Sequence, residues 1–229
     1  MSDWERIVTD LHGVVDDVDR AVAAYQALNE TADISWLPRL HRLLAEGRDF
    51  FVREAAAAPI ARLEGLHALP QLLHALQIGW EEGHDHDGLV SLVTDLVSAQ
   101  PAQAAPILLE MIRDPLDWRR ANAAWLWGHA AETIAVEPLL AALNDPVHCV
   151  RSEAAGALSS FEDREEVFSA LCHATRDTNK EVRISAVSAL GYYGDQRAVP
   201  VLKKLRRDWT RQVRSTARYA LRQLRDQRR

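Results

Sequence analysis

The sequence predicts an all-α protein, a right-handed α-solenoid (α-α superhelix) of about six helical hairpins behind an N-terminal helix. Three observations lead there. Hydrophobic residues make up 48 % of 229 residues, Ala and Leu leading, with only 10 Gly and 9 Pro, a composition that favours helix. Segments of the second half superimpose in register. Prolines recur at nearly the same stride, each ahead of an apolar helical pattern.

The elements follow in chain order. Ser2-x-x-Glu5 is a capping box, and Ile7, Leu11, Val14, Val15, Val18, Val22 and Tyr25 fall on one helical face, so residues 1–33 are expected to form one capping helix. Prolines 38, 70, 106, 138 and 200 open WLPRLHRLLAEG, ALPQLLHALQIG, APILLEMIRD, EPLLAALND and VPVLKKLRRD, with VFSALCHATRD as the variant lacking Pro. Proline fits a first turn, where its missing N–H is not needed. The stacked hairpins then occupy 34–229, in units of about 34–67, 68–100, 101–132, 133–163, 164–195 and 196–229.

The second helices carry the tighter register. Asp114, Asp145, Asp177 and Asp208 are 31, 32 and 31 residues apart, and six residues after each comes Arg120, Arg151, Arg183 or Arg214. Three further on stand Ala123, Ala154, Ala186 and Ala217, then Trp127, Leu158, Leu190 and Leu221. No single hairpin can bury its own apolar stripe, so neighbours must stack. The repeated Asp and Arg are expected to hydrogen-bond from turn to turn along the stack.

A unit of about 31 residues with Asp at the turn, Val-Arg opening the second helix, an Ala-rich stripe and a Gly194-Asp195 exit resembles the HEAT-like repeats of the phycobilin-lyase type. The resemblance fits residues 101–229 well and 36–100 loosely. It implies the solenoid fold and leaves function open, because such repeats serve many tasks. Iron hydroxylases of HEAT-like type carry repeated His-Glu dipeptides as ligands, and this sequence has none. A chromophore-lyase role, suggested by the family name, would show as a spectral change with free bilin.

The proline spacing stretches to 36 around WEEGHDHDG, residues 80–88. The stretch is an insertion between two helices, and such insertions map to edge loops, often on the binding side. Glu81, Glu82, Asp85 and Asp87 are therefore candidate partner contacts, beside the plainer reading of a solvated acidic loop. A metal site would need a rigid frame around His84-x-His86; no metal is expected.

The search for chemistry finds no HExxH, GxSxG, Walker-type loop or CxxC, so no enzyme activity and no cofactor is expected. Cys149 and Cys172 match no metal or redox spacing and read as packing residues. MSDWERIVTDLHG resembles no secretory leader, and no apolar run approaches a membrane span, which predicts a cytoplasmic protein with no membrane partner.

Binding remains. Positions two, five and nine after each arginine should face away from the core on the second helices, along the concave wall. That places Asn122, Trp125, His129, Glu153, Tyr192 and Tyr219 there as candidate partner contacts, the aromatics as anchors. The net charge is −6, yet residues 197–229 hold twelve Lys/Arg against two Asp, leaving −16 on residues 1–196. Arg211, Arg214, Arg218, Arg222 and Arg225 form a basic stripe. It reads either as the polar face of a last repeat or as a patch for phosphate or an acidic partner. The expected function is non-catalytic binding of another protein; one form of it is a bacterial immunity protein that caps a basic toxin or effector. Nucleic-acid contact through the stripe is the alternative, disfavoured by the acidic remainder.

Overall fold

The computed structural model describes residues 2–13, 17–47, 50–84, 87–131, 134–161 and 164–227, and among them every regular element is a helix. The chain is an all-α stack of hairpins that gathers into two compact units, Met1–Ala99 and Gln100–Arg229.

The first unit contains α1 (Asp3–His12), α2 (Val18–Thr31), α3 (Leu37–Glu46), α4 (Phe50–Glu64), α5 (Leu69–Glu82) and α6 (Asp87–Ala99). They pair as hairpins α1/α2, α3/α4 and α5/α6, with the second helices α2, α4 and α6 packed on one another in that order. The capping box forms as the residues require: the Ser2 hydroxyl accepts from the Glu5 N–H, and the Glu5 carboxylate accepts from the Ser2 N–H at 2.8 Å. The single helix expected over 1–33 is instead two. Asp17 caps a new helix at Val18, and the predicted apolar stripe divides. α1 buries Ile7 and Leu11, α2 buries Ala21, Ala24 and Leu28, and Val18 and Val22 face solvent. Val14 and Val15 lie outside the described residues.

The second unit contains four hairpins: α7 (Pro101–Met111) with α8 (Asp117–Trp127), α9 (Glu137–Ala142) with α10 (His148–Ala157), α11 (Glu165–Ala174) with α12 (Lys180–Tyr193), and α13 (Val199–Leu205) with α14 (Arg211–Asp226). Pro38, Pro70, Pro138 and Pro200 occupy the first turns of α3, α5, α9 and α13, as expected. Pro106 does not open its helix. Pro101 takes that place, and Pro106 lies inside α7, where the helix has already begun one turn earlier.

The arginine–aspartate register is a ladder of paired side chains. Arg120 donates through Nε and Nη2 to Asp145 at 2.8 and 3.1 Å, Arg151 to Asp177 at 2.8 and 3.0 Å, and Arg183 to Asp208 at 3.1 and 3.2 Å. The Nη1 of each donates to the carbonyl six residues back, so the guanidinium is fixed before it meets its acid. Each acid also accepts the backbone N–H two residues on, at Val147, Asn179 and Thr210. Bidentate, charge-assisted pairs of this kind define both distance and rotation between successive hairpins. The indole of Trp209 lies 4.0 Å from the buried Arg183 guanidinium and is itself 77 % exposed.

A further ladder arginine is Arg53 in α4. Its Nη1 donates to the carbonyl of Gly47, again six residues back, at 2.8 Å, and its Nη2 pairs with Glu82 at the end of α5. Gly47 stands where later copies have Asp, which hides the copy from a search keyed on aspartate. The columns are nevertheless present: Ala56 and Ile60, three and seven residues after Arg53, are fully buried.

Candidate functional site

The second helices of the second unit lie directly against one another, α8 on α10, α10 on α12 and α12 on α14, whereas the first helices form no comparable row. Small residues permit the approach. A Cβ at Gly128 would stand 3.1 Å from Ala157, and one at Gly191 would stand 2.8 Å from Ala220. A Ser152–Ser185 hydroxyl contact of 2.9 Å fixes the register of α10 on α12. Closer packing on one side bends this unit toward its second helices, so their outward positions line its inner wall.

Beneath the wall the core follows the columns. Ala123, Ala154, Ala186 and Ala217 are fully buried, as are Leu158 and Leu190. Trp127 is buried and donates its indole N–H to the Ala135 carbonyl at 2.8 Å, while Leu221 is half-buried.

On the wall, Tyr192 is 61 % and Tyr219 51 % exposed. Trp125 is half-buried and meets the exposed His129 edge to face at 5.7 Å. The surrounding protein pushes the His129 imidazolium below the ordinary histidine value, so the ring is neutral at physiological pH. Glu153 is exposed, yet the protein mass around it pushes its carboxyl above the usual carboxylate range. Asn122 departs from the expectation. It is only 4 % exposed, and its side-chain nitrogen finds no acceptor.

The acidic stretch after α5 is more structural than its composition suggests. Gly83 ends α5 in the left-handed conformation, φ +79°, which a residue with a Cβ adopts only under strain. Glu82 is engaged by the buried Arg53, so its acidity serves the fold rather than standing free for a partner. The His84 ring stacks on Phe50 with centroids 5.0 Å apart. Glu81 is exposed and accepts from Gln77, and Asp87 lies exposed in the first turn of α6. Asp85 and His86 lie outside the described residues. Among the described residues no three His, Cys, Asp or Glu side chains gather as metal ligands would.

The basic stripe divides as well. Arg211, Arg218, Arg222 and Arg225 are exposed. Arg214 instead turns inward and donates to the carbonyls of Asp208 and Trp209 at 2.8 and 3.1 Å, in the ladder pose of its predecessors. Arg222 lies 5.9 Å from the Tyr219 ring. Cys149 and Cys172 are half-buried, and burial pushes both thiols up, away from the reactive thiolate. No helix among the described residues is long and apolar enough to cross a membrane.

Comparison with solved structures finds human deoxyhypusine hydroxylase at 17 % identity, covering 98 % of this chain and 97 % of that one with a TM-score of 0.46. An engineered protein is similar at 19 % identity, covering 99 % and 98 % with a TM-score of 0.46. YibA from E. coli is similar at 16 % identity, covering 98 % and 93 % with a TM-score of 0.44. None of these assigns a chemistry to this chain. No curated protein matches it. The family described as HEAT repeats matches residues 136–222, the stretch that holds the Arg151–Asp177 and Arg183–Asp208 rungs. Residues 136–222 of this chain are HEAT repeats.

Proposed function

We propose that the protein is a non-catalytic binding module that takes a partner protein against the inner wall of its second unit. Tyr192 carries the reading. Its ring is 61 % exposed on a wall whose neighbouring residues are packed or small, and the fold gains nothing from leaving it there. Exposed tyrosine and tryptophan are the side chains that anchor protein interfaces, because they bury much surface for little lost conformational freedom. Tyr219 and the half-buried Trp125 extend the same surface along α14 and α8.

The narrower reading is an immunity protein that caps a basic toxin, supported by the charge of −16 on residues 1–196, which would attract a cationic partner. Nucleic-acid contact has less support, because Arg214 belongs to the ladder and leaves four exposed arginines on one helix. The test is capture of the partner by wild-type protein and by a Trp125→Ala/Tyr192→Ala double variant of unchanged melting temperature. Loss of the captured protein is expected. Undiminished capture sinks the proposal. The immunity reading further expects a toxin-like reading frame beside the gene, and rescue of growth when the protein is co-expressed with its product.

A further inference from the structure

We propose that the first unit binds a small aromatic carboxylate in a cleft between α1 and α3. Arg39 and Arg42 hold the carboxylate, and Trp4 and Leu43 cover the ring. The inference is independent of the protein-binding reading, since it rests on other helices.

The cleft is a consequence of packing. α1 and α3 each rest on α4 and barely touch one another; the first buries Ile7 and Leu11, the second Leu40 and Leu44. The space left between them is about 530 Å³, lined by Trp4 and His12 of α1 and by Arg39, Arg42, Leu43 and Glu46 of α3. A volume of this size, with apolar walls and a few polar groups, suits a small molecule. Trp4 is held in place. The Trp36 ring meets it edge to face at 5.4 Å, and the Arg39 guanidinium lies over it, 5.7 Å from the ring centroid. A guanidinium lying over an indole keeps its in-plane N–H groups for a carboxylate.

Charge singles this cleft out. Residues 1–99 hold 17 Asp and Glu against seven Arg and no Lys, so every cation there has acids in excess. Arg6 pairs with Asp3, Arg20 with Asp10 and Arg53 with Glu82, while Arg62 donates to the carbonyls of Asn29 and Ala32. Arg48 lies outside the described residues. Arg39 and Arg42 have no acid or carbonyl partner among the described residues, and both line this cleft. Three residues apart on one helix face, they stand about 4.5 Å apart along its axis, close enough to share one carboxylate. Arginine meets that group with two parallel hydrogen bonds. Glu46 stands seven residues beyond Arg39, about 10 Å further along α3, and its charge favours a single negative charge over the two of a phosphate. Trp4 and Leu43 offer an inorganic ion nothing, whereas an aromatic body buries surface against both.

The test uses the full chain, isotope-labelled, titrated in turn with 2-naphthoate, the neutral 2-naphthylmethanol and inorganic phosphate. Naphthoate is expected to shift the Trp4 indole N–H resonance saturably, with the alcohol and phosphate each about tenfold weaker or more. An Arg39→Gln/Arg42→Gln double variant should bring naphthoate down to the level of the alcohol without lowering the melting temperature, because no ion pair within the described fold is broken. Arg6→Gln, which removes the same charge from α1 outside the cleft, should bind naphthoate as wild type does. Equal binding of naphthoate and the alcohol, or undiminished binding to the double variant, overturns the inference. So does phosphate binding as tightly as naphthoate, an equal loss in Arg6→Gln, or a Trp4 resonance that none of the three probes moves.

Discussion

Arg151 grips Asp177 with two parallel hydrogen bonds of 2.8 and 3.0 Å, while its third nitrogen is pinned by the carbonyls of Asp145 and Pro146. One side chain thereby joins its own turn to the next. The same residue types repeat that link from Arg120 to Asp208, so the arginines that a phosphate ladder would need are already spent on carboxylates. Their role is to fix the hairpins that display the inner wall.

Asp177→Asn should lower unfolding stability by about 2–3 kcal/mol, because it leaves a largely buried guanidinium facing an uncharged group. The pH dependence has a definite sign. The hydrogen bond from Arg151 holds the Asp177 carboxyl below its ordinary value, against the opposing effect of burial and with help from the Asn179 N–H. A carboxyl lowered in the folded state stabilises fully above the ordinary carboxylate value of about 4, and that stability is lost as pH falls through the lowered one. Urea unfolding over a pH series should show the wild-type and Asp177→Asn curves converging in strong acid. A gap that stays constant into strong acid would refute the ladder's electrostatic role.

Two glycines of the second helices should respond oppositely to the same change. Gly156→Ala adds a methyl group to open space and should stabilise by up to about 1 kcal/mol through helix propensity. Gly191→Ala would place its Cβ 2.8 Å from both Ala220 and the Gln223 side-chain oxygen and should destabilise by about 1–3 kcal/mol through overpacking. Thermal unfolding of the pair checks the interhelix distance directly. Equal shifts would mean that α12 and α14 are not so close.

Glu153→Gln should raise the melting temperature at neutral pH and leave it unchanged in acid. Loss of hydration raises the Glu153 carboxyl above its unfolded value. The folded chain therefore loses stability as pH climbs through the ordinary carboxylate range up to the raised value, and glutamine removes that loss. Melting curves on either side of this window decide it; a variant less stable at neutral pH would mean that Glu153 has a partner within the fold.

The hairpins and the ladder are legible in the sequence because each depends on residues at a fixed offset in the same or the next repeat. Ala123 must be small where helices touch, and Arg151 must find an acid one repeat on. Arg53 escapes that search although Val52, Ala56 and Ile60 keep the columns, because Gly47 contributes only a carbonyl and the acid has moved to Glu82. Asn122 is misread for a different reason. Helical periodicity gives the direction of a side chain, while its cover depends on what the folded chain packs around it.

The sequence by itself determined that the chain is helical, that its hairpins recur, and which arginine would meet which aspartate, since periodicity and charge are properties of order along the chain. Only the tertiary structure decided that Val18 and Val22 stay outside, that Glu82 and Arg214 serve the fold, and that Glu153 stands without a counter-charge among the described residues. Burial and pairing depend on what neighbouring helices bring to within a few ångströms, and that information is shared among residues far apart in sequence.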